Sequence, residues 1–387
     1  MPRTTVFDVV IVGAGPVGLY LGALLLQEGV SVRILEQRTE PGVHSRAIGI
    51  HPPSLAALEL AGVASAMVAE GVRVPRGMAL SGGREVAQLS FDQAGMQWPF
   101  VLTLPQVRTE AILEARVREL DPEALVRDFC VDSLHDGGTS LTLSGRRNTG
   151  DQQESVAGRL VVGADGARSA LRRLLRISTS GRDYPDTYVM GDFPDTGTDG
   201  STAMLYLEPG GIVESFPLPG GLRRWVVHTD ALLSGPTAPG LAELVKARTG
   251  VEVQAEANSM LSAFDVRFRI ARRMVQGRAA LVGDAAHEIS PIGGQGMNLG
   301  WLDAQALAPV MVAALRGEAT GPRLQSFERR RMAAARSASR QAWLNMALGR
   351  PLPASFLRFR HAGVRAVFRL QGVQDLVARR FTMAHFR

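Results

Sequence analysis

Hydrophobic residues are laid along this chain in two alternating textures. Phe7–Val12 is a short, largely β-branched apolar run, the mark of a strand buried on both faces. Pro16–Gln27 continues it as a helix, and Val32–Leu35 is the next strand, closing at Glu36. Pro53–Ala69 has the helical spacing of Leu55, Leu58 and Val63. From Val74 to Leu104 the pattern breaks into short, glycine-interrupted alternating segments, which predicts antiparallel strands. Gln106–Glu119 is helical again, with Ile112, Leu113 and Val117 on one side, and Arg159–Val162 is a short apolar strand. Asp183–Arg273 is strand-like, with Tyr188–Phe193, Met204–Leu207, Ile212–Phe216 and Trp225–His228 set between Gly/Pro turns. Ala279–Val282 returns to the first texture, followed by a glycine loop and a helix from about Met297 to Leu315. Gly321–Arg387 reads as helical and rich in arginine.

This alternation predicts an α/β protein, α+β overall, in which a Rossmann-like nucleotide-binding domain is interleaved with a β-sheet domain and followed by C-terminal helices. The expected divisions are residues 1–73, 105–177 and 273–320 for the first, 74–104 and 178–272 for the second, and 321–387 for the helical segment. A length of 387 residues suits two domains. Val9–Gln27 is uncharged and about as long as a membrane span. Gly13, Gly15, Pro16 and Gly18 interrupt it, so a strand, a tight turn and a buried helix explain it better. No other segment is apolar over such a length.

Composition adds exclusions. The single cysteine, Cys130, rules out a disulfide framework and cysteine-based metal clusters, and it agrees with a cytoplasmic setting. Lys246 is the one lysine among 43 basic residues, so the sequence pI of about 10.3 reflects arginine usage. Without a basic run interleaved with aromatics, that charge does not point to nucleic acid. The histidines show no metal-ligand spacing, and neither a G-x-S-x-G nor a P-loop GK[ST] occurs.

Three motifs carry the chemistry. Gly13-Ala14-Gly15-Pro16-Val17-Gly18 follows a strand and opens a helix, so backbone N–H groups can approach a pyrophosphate at the helix N-terminus. Glu36, at the end of the next strand, is placed to accept hydrogen bonds from a ribose diol. These features indicate a dinucleotide but do not separate FAD from NAD. The second motif is Gly163-Ala164-Asp165-Gly166-Ala167-Arg168-Ser169, again at a strand end. The third is Gly283-Asp284-Ala285-Ala286-His287, followed by Pro291 and Gly293-Gly294-Gln295-Gly296-Met297-Asn298.

Taken in order over about residues 6–315, the three resemble the fingerprints of the FAD-dependent aromatic-hydroxylase monooxygenases, the fold of para-hydroxybenzoate hydroxylase and the ubiquinone-biosynthesis hydroxylases. The resemblance implies non-covalent FAD, NADPH or NADH as electron donor, and hydroxylation or oxygen insertion on an electron-rich aromatic, quinol or polyketide-like substrate with O2. It implies that Gly13, Gly15, Pro16, Val17 and Gly18 receive the pyrophosphate, Glu36 the adenosine ribose, and Asp284 the ribityl and pyrophosphate region. It shares Asp165 and Gly166 between FAD and nicotinamide, sets Arg46 and Gln106 against FAD, and brings Gly294, Gly296, Met297 and Asn298 to the flavin ring. The plainer alternatives are strand-end caps for Asp165 and Asp284, a surface arginine for Arg46, and loop ordering for His287. Other functional readings are an FAD-dependent reductase of isoprenoid double bonds on the same fold and a non-catalytic flavin-binding protein.

The substrate is expected between the flavin and the sheet domain, where Phe216, Trp225 and His228 are candidate lining residues or ordinary sheet core. Trp225 and His228 differ in strand parity, which sends them to opposite faces. No residue identifies itself as a catalytic base. Residues 354–387 hold seven arginines, Arg358, Arg360, Arg365, Arg369, Arg379, Arg380 and Arg387, against Asp375 alone. With Phe356, Phe359, Val364, Val367 and Phe368 as an apolar stripe, the segment is either a helix pair packed on the body or a peripheral membrane contact.

Overall fold

The computed structural model describes residues 5–42, 47–91, 97–147, 153–353, 355–357, 362–363 and 371–383. Its first sheet has a parallel centre made of β18 (Ala279–Leu281), β11 (Gln153–Gly163), β1 (Val6–Val12), β2 (Val32–Leu35) and β8 (Leu125–Val126), in that spatial order. β17 (Val275–Gln276) lies antiparallel to β18, and β10 (Leu141–Arg146) and β9 (Cys130–Asp136) extend antiparallel from β11. The strand expected over Arg159–Val162 is therefore the end of an eleven-residue strand whose first half pairs with β10. α1 (Pro16–Gln27), α4 (Gln106–Leu120) and α7 (Gln295–Leu315) pack together, and most of α7 is buried. Trp301 of α7 is fully buried and donates its indole N–H to the Pro16 carbonyl at 3.0 Å, locking α7 to the start of α1.

The helix expected over Pro53–Ala69 is two: α2 (Pro52–Leu60) and α3 (Ala64–Glu70). Gly62 between them sits at φ +73°, a left-handed conformation that ends α2 as a glycine C-cap does. A small sheet of β3 (Gly49–Ile50), β7 (Val101–Thr103) and β4 (Val72–Val74) joins this region to the second large sheet.

The second sheet runs β19 (His287–Glu288), β16 (Met260–Ala271), β12 (Thr179–Pro194), β15 (Leu222–Thr229), β14 (Gly211–Leu218), β13 (Ala203–Glu208), β5 (Arg76–Ser81), β6 (Arg84–Ser90). It is covered on both sides. Val189, Val213, Trp225, Val227, Met204 and Tyr206 pack on α6 (Ala238–Thr249). On the other side Tyr188, Met190, Ile212 and Val226 pack with Ile292 of the glycine loop and Met346 of α8 (Gly321–Gly349).

α6 lies inside the stretch read as strand-like. Its boundary signals are present: the Thr237 hydroxyl accepts from Gly240 N–H at the N-cap, Pro239 is in the first turn, and Gly250 closes the helix at φ +77°.

Of the C-terminal residues, Arg358, Arg360, Arg365, Arg369, Arg387, Phe359, Val364, Val367 and Phe368 lie outside the described residues, as does Arg46. α9 (Gln371–Phe381) ends against the body: the Phe381 ring stacks on Phe91 at 5.4 Å, and Met383 is fully buried in the main core. No helix of the described residues is long and apolar enough to cross a membrane.

Candidate active site

Three adjacent parallel strands deliver the three motifs to one edge. Val12, Gly163 and Leu281 stand in register across β1, β11 and β18; Val12 precedes the first motif, Gly163 opens the second, and Leu281 lies two residues before Gly283 of the third. In open α/β sheets this carboxyl edge is where ligands bind. The motifs also pack on one another. A Cβ on Gly13, which has φ +106°, would come within 2.5 Å of the Ala164 carbonyl oxygen, and one on Gly300 within 2.4 Å of Val17. Val17 also lies 3.2 Å from a Cβ position on Gly283. Gly15 faces open space, with nothing within 4 Å of its Cβ position. The first turn is thus held from behind by the other two motifs and left bare in front.

Arg172, on the short α5 (Ala170–Leu174), joins the second and third motifs. Its guanidinium donates to the Ala167 and Ala285 carbonyls, both at 2.7 Å. Asp165 accepts from Leu171 N–H at 3.0 Å through one oxygen, and its other oxygen is buried without a described partner. Gly166 adopts φ +77°.

Glu36 is buried at the end of β2. One carboxylate oxygen accepts from Ala14 N–H at 2.8 Å, and the other from the Arg38 N–H at 2.9 Å and Nε at 3.0 Å. Burial works to raise its pKa, but the Arg38 and Ala14 hydrogen bonds and the Arg38 charge outweigh it and hold the carboxyl below the ordinary glutamate value. Gln106 opens α4, donates its side-chain amide to Glu110 at 2.8 Å, and ties its backbone N–H to the Ala47 carbonyl at 3.1 Å.

Asp284 lies on the one-turn 3-10 segment Gly283–Ala285. Its side chain is open to solvent, yet protein crowds it closely enough that desolvation, with Glu288 and Asp303 nearby, pushes its carboxyl up to about 6 against the pull of His287. Both observations fit a group on the wall of a concavity. It forms no hydrogen bond with a described residue, and a Cβ on Gly296 would lie 3.7 Å from its Oδ1.

The glycine loop enters α7 through two left-handed residues, Gly293 at φ +93° and Gly294 at φ +65°. The helix begins at Gln295, two residues before the expected Met297. The Asn298 side chain is fully engaged within the protein. Its amide nitrogen donates to the Gly49 and Gly294 carbonyls at 2.9 and 2.6 Å, and its oxygen accepts from His51 N–H at 2.8 Å. Asn298 thereby fastens the loop to β3. His51 Nε2 lies 3.2 Å from the Gly293 carbonyl oxygen, and burial drives its pKa down to about 4.

Beneath the Asp284 turn lies an ionic cluster that sequence reasoning missed. Asp303 of α7 is fully buried, with one oxygen 2.6 Å from His287 Nε2 and accepting from Gly283 N–H at 3.0 Å. Its other oxygen accepts from Arg331 Nε at 2.6 Å, and Arg331 also donates to the Leu299 carbonyl. Burial opposes both ionised forms, yet mutual attraction holds the Asp303 carboxyl down and the His287 imidazole up; Arg331 adds to the lowering of Asp303 and works against the rise of His287. His287 thus belongs to the support of the turn.

The structure puts Phe216 and His228 on the sheet face that meets the glycine loop, whereas Trp225 faces the other way and stacks on Tyr206 at 6.0 Å, against the α6 side.

A family model described as FAD binding domain matches residues 6–342. The chain belongs to this family. It is 34% identical over 344 residues to the 12-dehydrotetracycline 5-monooxygenase/anhydrotetracycline 6-monooxygenase of Streptomyces rimosus, covering 84% of this chain and 66% of that one. It is 30% identical over 333 residues to the rifampicin monooxygenase of Streptomyces venezuelae, covering 84% and 68%. The chain therefore spans about two thirds of the length of these curated relatives. Its fold matches the crystal structure of p-nitrophenol 4-monooxygenase from Pseudomonas putida with a TM-score of 0.87 at 24% identity, over 98% of this chain and 99% of that one.

Proposed function

We propose that this chain is a flavin monooxygenase that hydroxylates an electron-rich aromatic substrate with O2, taking electrons from NADPH or NADH. The observation that supports it most is the convergence of three motifs on one sheet edge, with a second sheet meeting the glycine loop. The residues fit FAD. The bare front of Gly15 and the N-terminus of α1 suit a pyrophosphate, because the first N–H groups of a helix have no partner within it. Glu36 keeps acceptor capacity for the adenosine ribose, since two carboxylate oxygens accept more than the three bonds they hold. Asp284, without a described partner, suits the ribityl hydroxyls, and Gln106, Asp165 and Gly166 are assigned to the same cofactor, as is Arg46 from its place in the sequence motif.

When bound, FAD would supply electron transfer from the nicotinamide and activation of dioxygen. The chain's own share is placement and exclusion of water. Gly294 and Gly296 let a flat ring approach the backbone, and the N-terminus of α7, at Gln295–Met297, would favour negative charge on it. The sheet face with Tyr188, Phe216 and His228 would cover the substrate. The relatives named for anhydrotetracycline and rifampicin favour a large aromatic substrate.

Turnover under isotopically labelled O2 tests this reading. One labelled oxygen atom in the product is the expected result. Full product yield without O2 would refute it and favour reduction of a double bond instead.

A further inference from the structure

Glu214, in the middle of β14, is only 7% exposed, yet its carboxylate has no hydrogen bond or ion pair with any described residue. Its cross-strand neighbours are Leu205 on one side and Val226 on the other, with Met190 beyond Val226. Directly opposed residues share a face, so the carboxylate stands in an apolar row. Phe216, Arg224 and Asp192 form the next row on that face. Ile212 precedes Glu214 by two residues on the same face, beside Tyr188 and His228.

This is the face that packs with Ile292 of the glycine loop. A second unpartnered group occupies it: the Tyr188 hydroxyl is buried without a hydrogen bond, its ring stacked on Phe264 at 5.6 Å and edge-on to His228 at 5.3 Å.

No described cation neutralises Glu214. Arg224 is engaged by Asp192 at 2.7 and 2.8 Å, Arg350 by Asp186 at 2.9 and 2.8 Å, and His228 Nε2 lies 3.7 Å from Asp186. His51, across the loop, interacts with the Gly293 carbonyl. A buried carboxylate without a partner costs stability, and an amide or thioether of similar size would serve packing better. The group therefore calls for a proton donor that none of the described residues supplies to it.

We propose that Glu214 is the general base that accepts the hydroxyl proton of a phenolic substrate lodged between this sheet face and the glycine loop, with the Tyr188 hydroxyl donating to the same substrate oxygen. The inference rests on the monooxygenase reading above. In the step, the substrate O–H bond breaks, its electron pair stays on the phenolate oxygen, and the proton forms the O–H of a neutral Glu214. The phenolate is richer in electrons at its ortho and para carbons, where oxygen enters. Glu214 returns the proton as product forms and is regenerated. Burial pushes its carboxyl up to about 7, which suits a base working near neutral pH.

The test compares FAD-loaded wild type, Glu214→Gln and Glu214→Asp on phenol, 4-nitrophenol and pentachlorophenol, measuring hydroxylated product against pH. FAD content and thermal unfolding verify that each variant is folded. General-base catalysis contributes about 100-fold or more. The Gln variant should therefore lose about that factor on phenol, far less on pentachlorophenol, which arrives ionised, and an intermediate factor on 4-nitrophenol, which is partly ionised near neutrality. On phenol, the rising limb of the pH profile near neutrality should vanish in the Gln variant and survive in the Asp variant. Equal losses on all three substrates, or an unchanged limb, would overturn the role of Glu214 alone. A wild type that binds FAD but oxygenates none of the phenols would overturn the phenol proposal, whereas label incorporation into a non-phenolic aromatic would leave the monooxygenase reading standing.

Discussion

Glu214 should also be visible in the pH dependence of stability. In the unfolded chain its carboxyl ionises at the ordinary value of 4.5, while in the fold it holds its proton until about pH 7. Below 4.5 both states are protonated and the group contributes nothing. Between 4.5 and 7 the folded state binds one proton more than the unfolded state, so stability falls as pH rises. Above 7 the loss is complete. At about 1.4 kcal/mol for each pH unit, it amounts to about 3 kcal/mol. Glu214→Gln keeps the shape and the buried polar group but cannot ionise. The variant should therefore gain about 3 kcal/mol relative to wild type between pH 4.5 and about pH 8, whatever its offset at the acidic end. Urea unfolding of both proteins at matched pH values measures this difference. Asp284, also raised, titrates in the same window but does so in both proteins and cancels. A difference that stays flat with pH, or that shrinks as pH rises, would refute the burial argument and weaken the case for Glu214 as a base.

Two further predictions address the cofactor edge. Asp284→Ala should weaken FAD binding about 5- to 150-fold, the equivalent of about 1–3 kcal/mol for a lost acceptor, as read by flavin fluorescence titration; unchanged affinity would remove Asp284 from the cofactor. Asp303→Asn should destabilise the protein by about 3–5 kcal/mol, because Arg331 would remain buried without its counter-charge. The double variant Asp303→Asn/Arg331→Met should recover part of that loss, and simple additivity of the two changes in denaturant unfolding would argue against a coupled cluster.

The parallel sheet and its motifs were legible because their signals are local. A glycine at φ +106° in Gly13, or a β-branched run closing on Glu36, is written within a few consecutive residues. α6 was legible too, since Thr237, Pro239 and Gly250 bracket it, but the strand-like texture around it dominated the reading. The Asp303–Arg331 pair was not legible. The two residues are 28 positions apart on different helices, and only the packing of α7 on α8 brings them together. Arg172 is of the same kind, reaching the Ala285 carbonyl 113 positions away.

Glu214 stands between these cases. An acid flanked by Ile212, Val213, Ser215 and Phe216 interrupts a strand that is buried on both faces, and that anomaly is present in the sequence. What the sequence withholds is which face meets the glycine loop. Strand parity alone separates Trp225 from His228 without saying which of them looks inward. The register of β14 and β15 decides it: Val226 pairs with Glu214, and Trp225 pairs with Ser215. A slip of β14 by one residue would have sent Glu214 toward α6. The chemistry proposed for this face therefore depends on long-range pairing, which sets the Glu214 carboxylate on the same face as the Tyr188 hydroxyl, both without a hydrogen bond to a described residue.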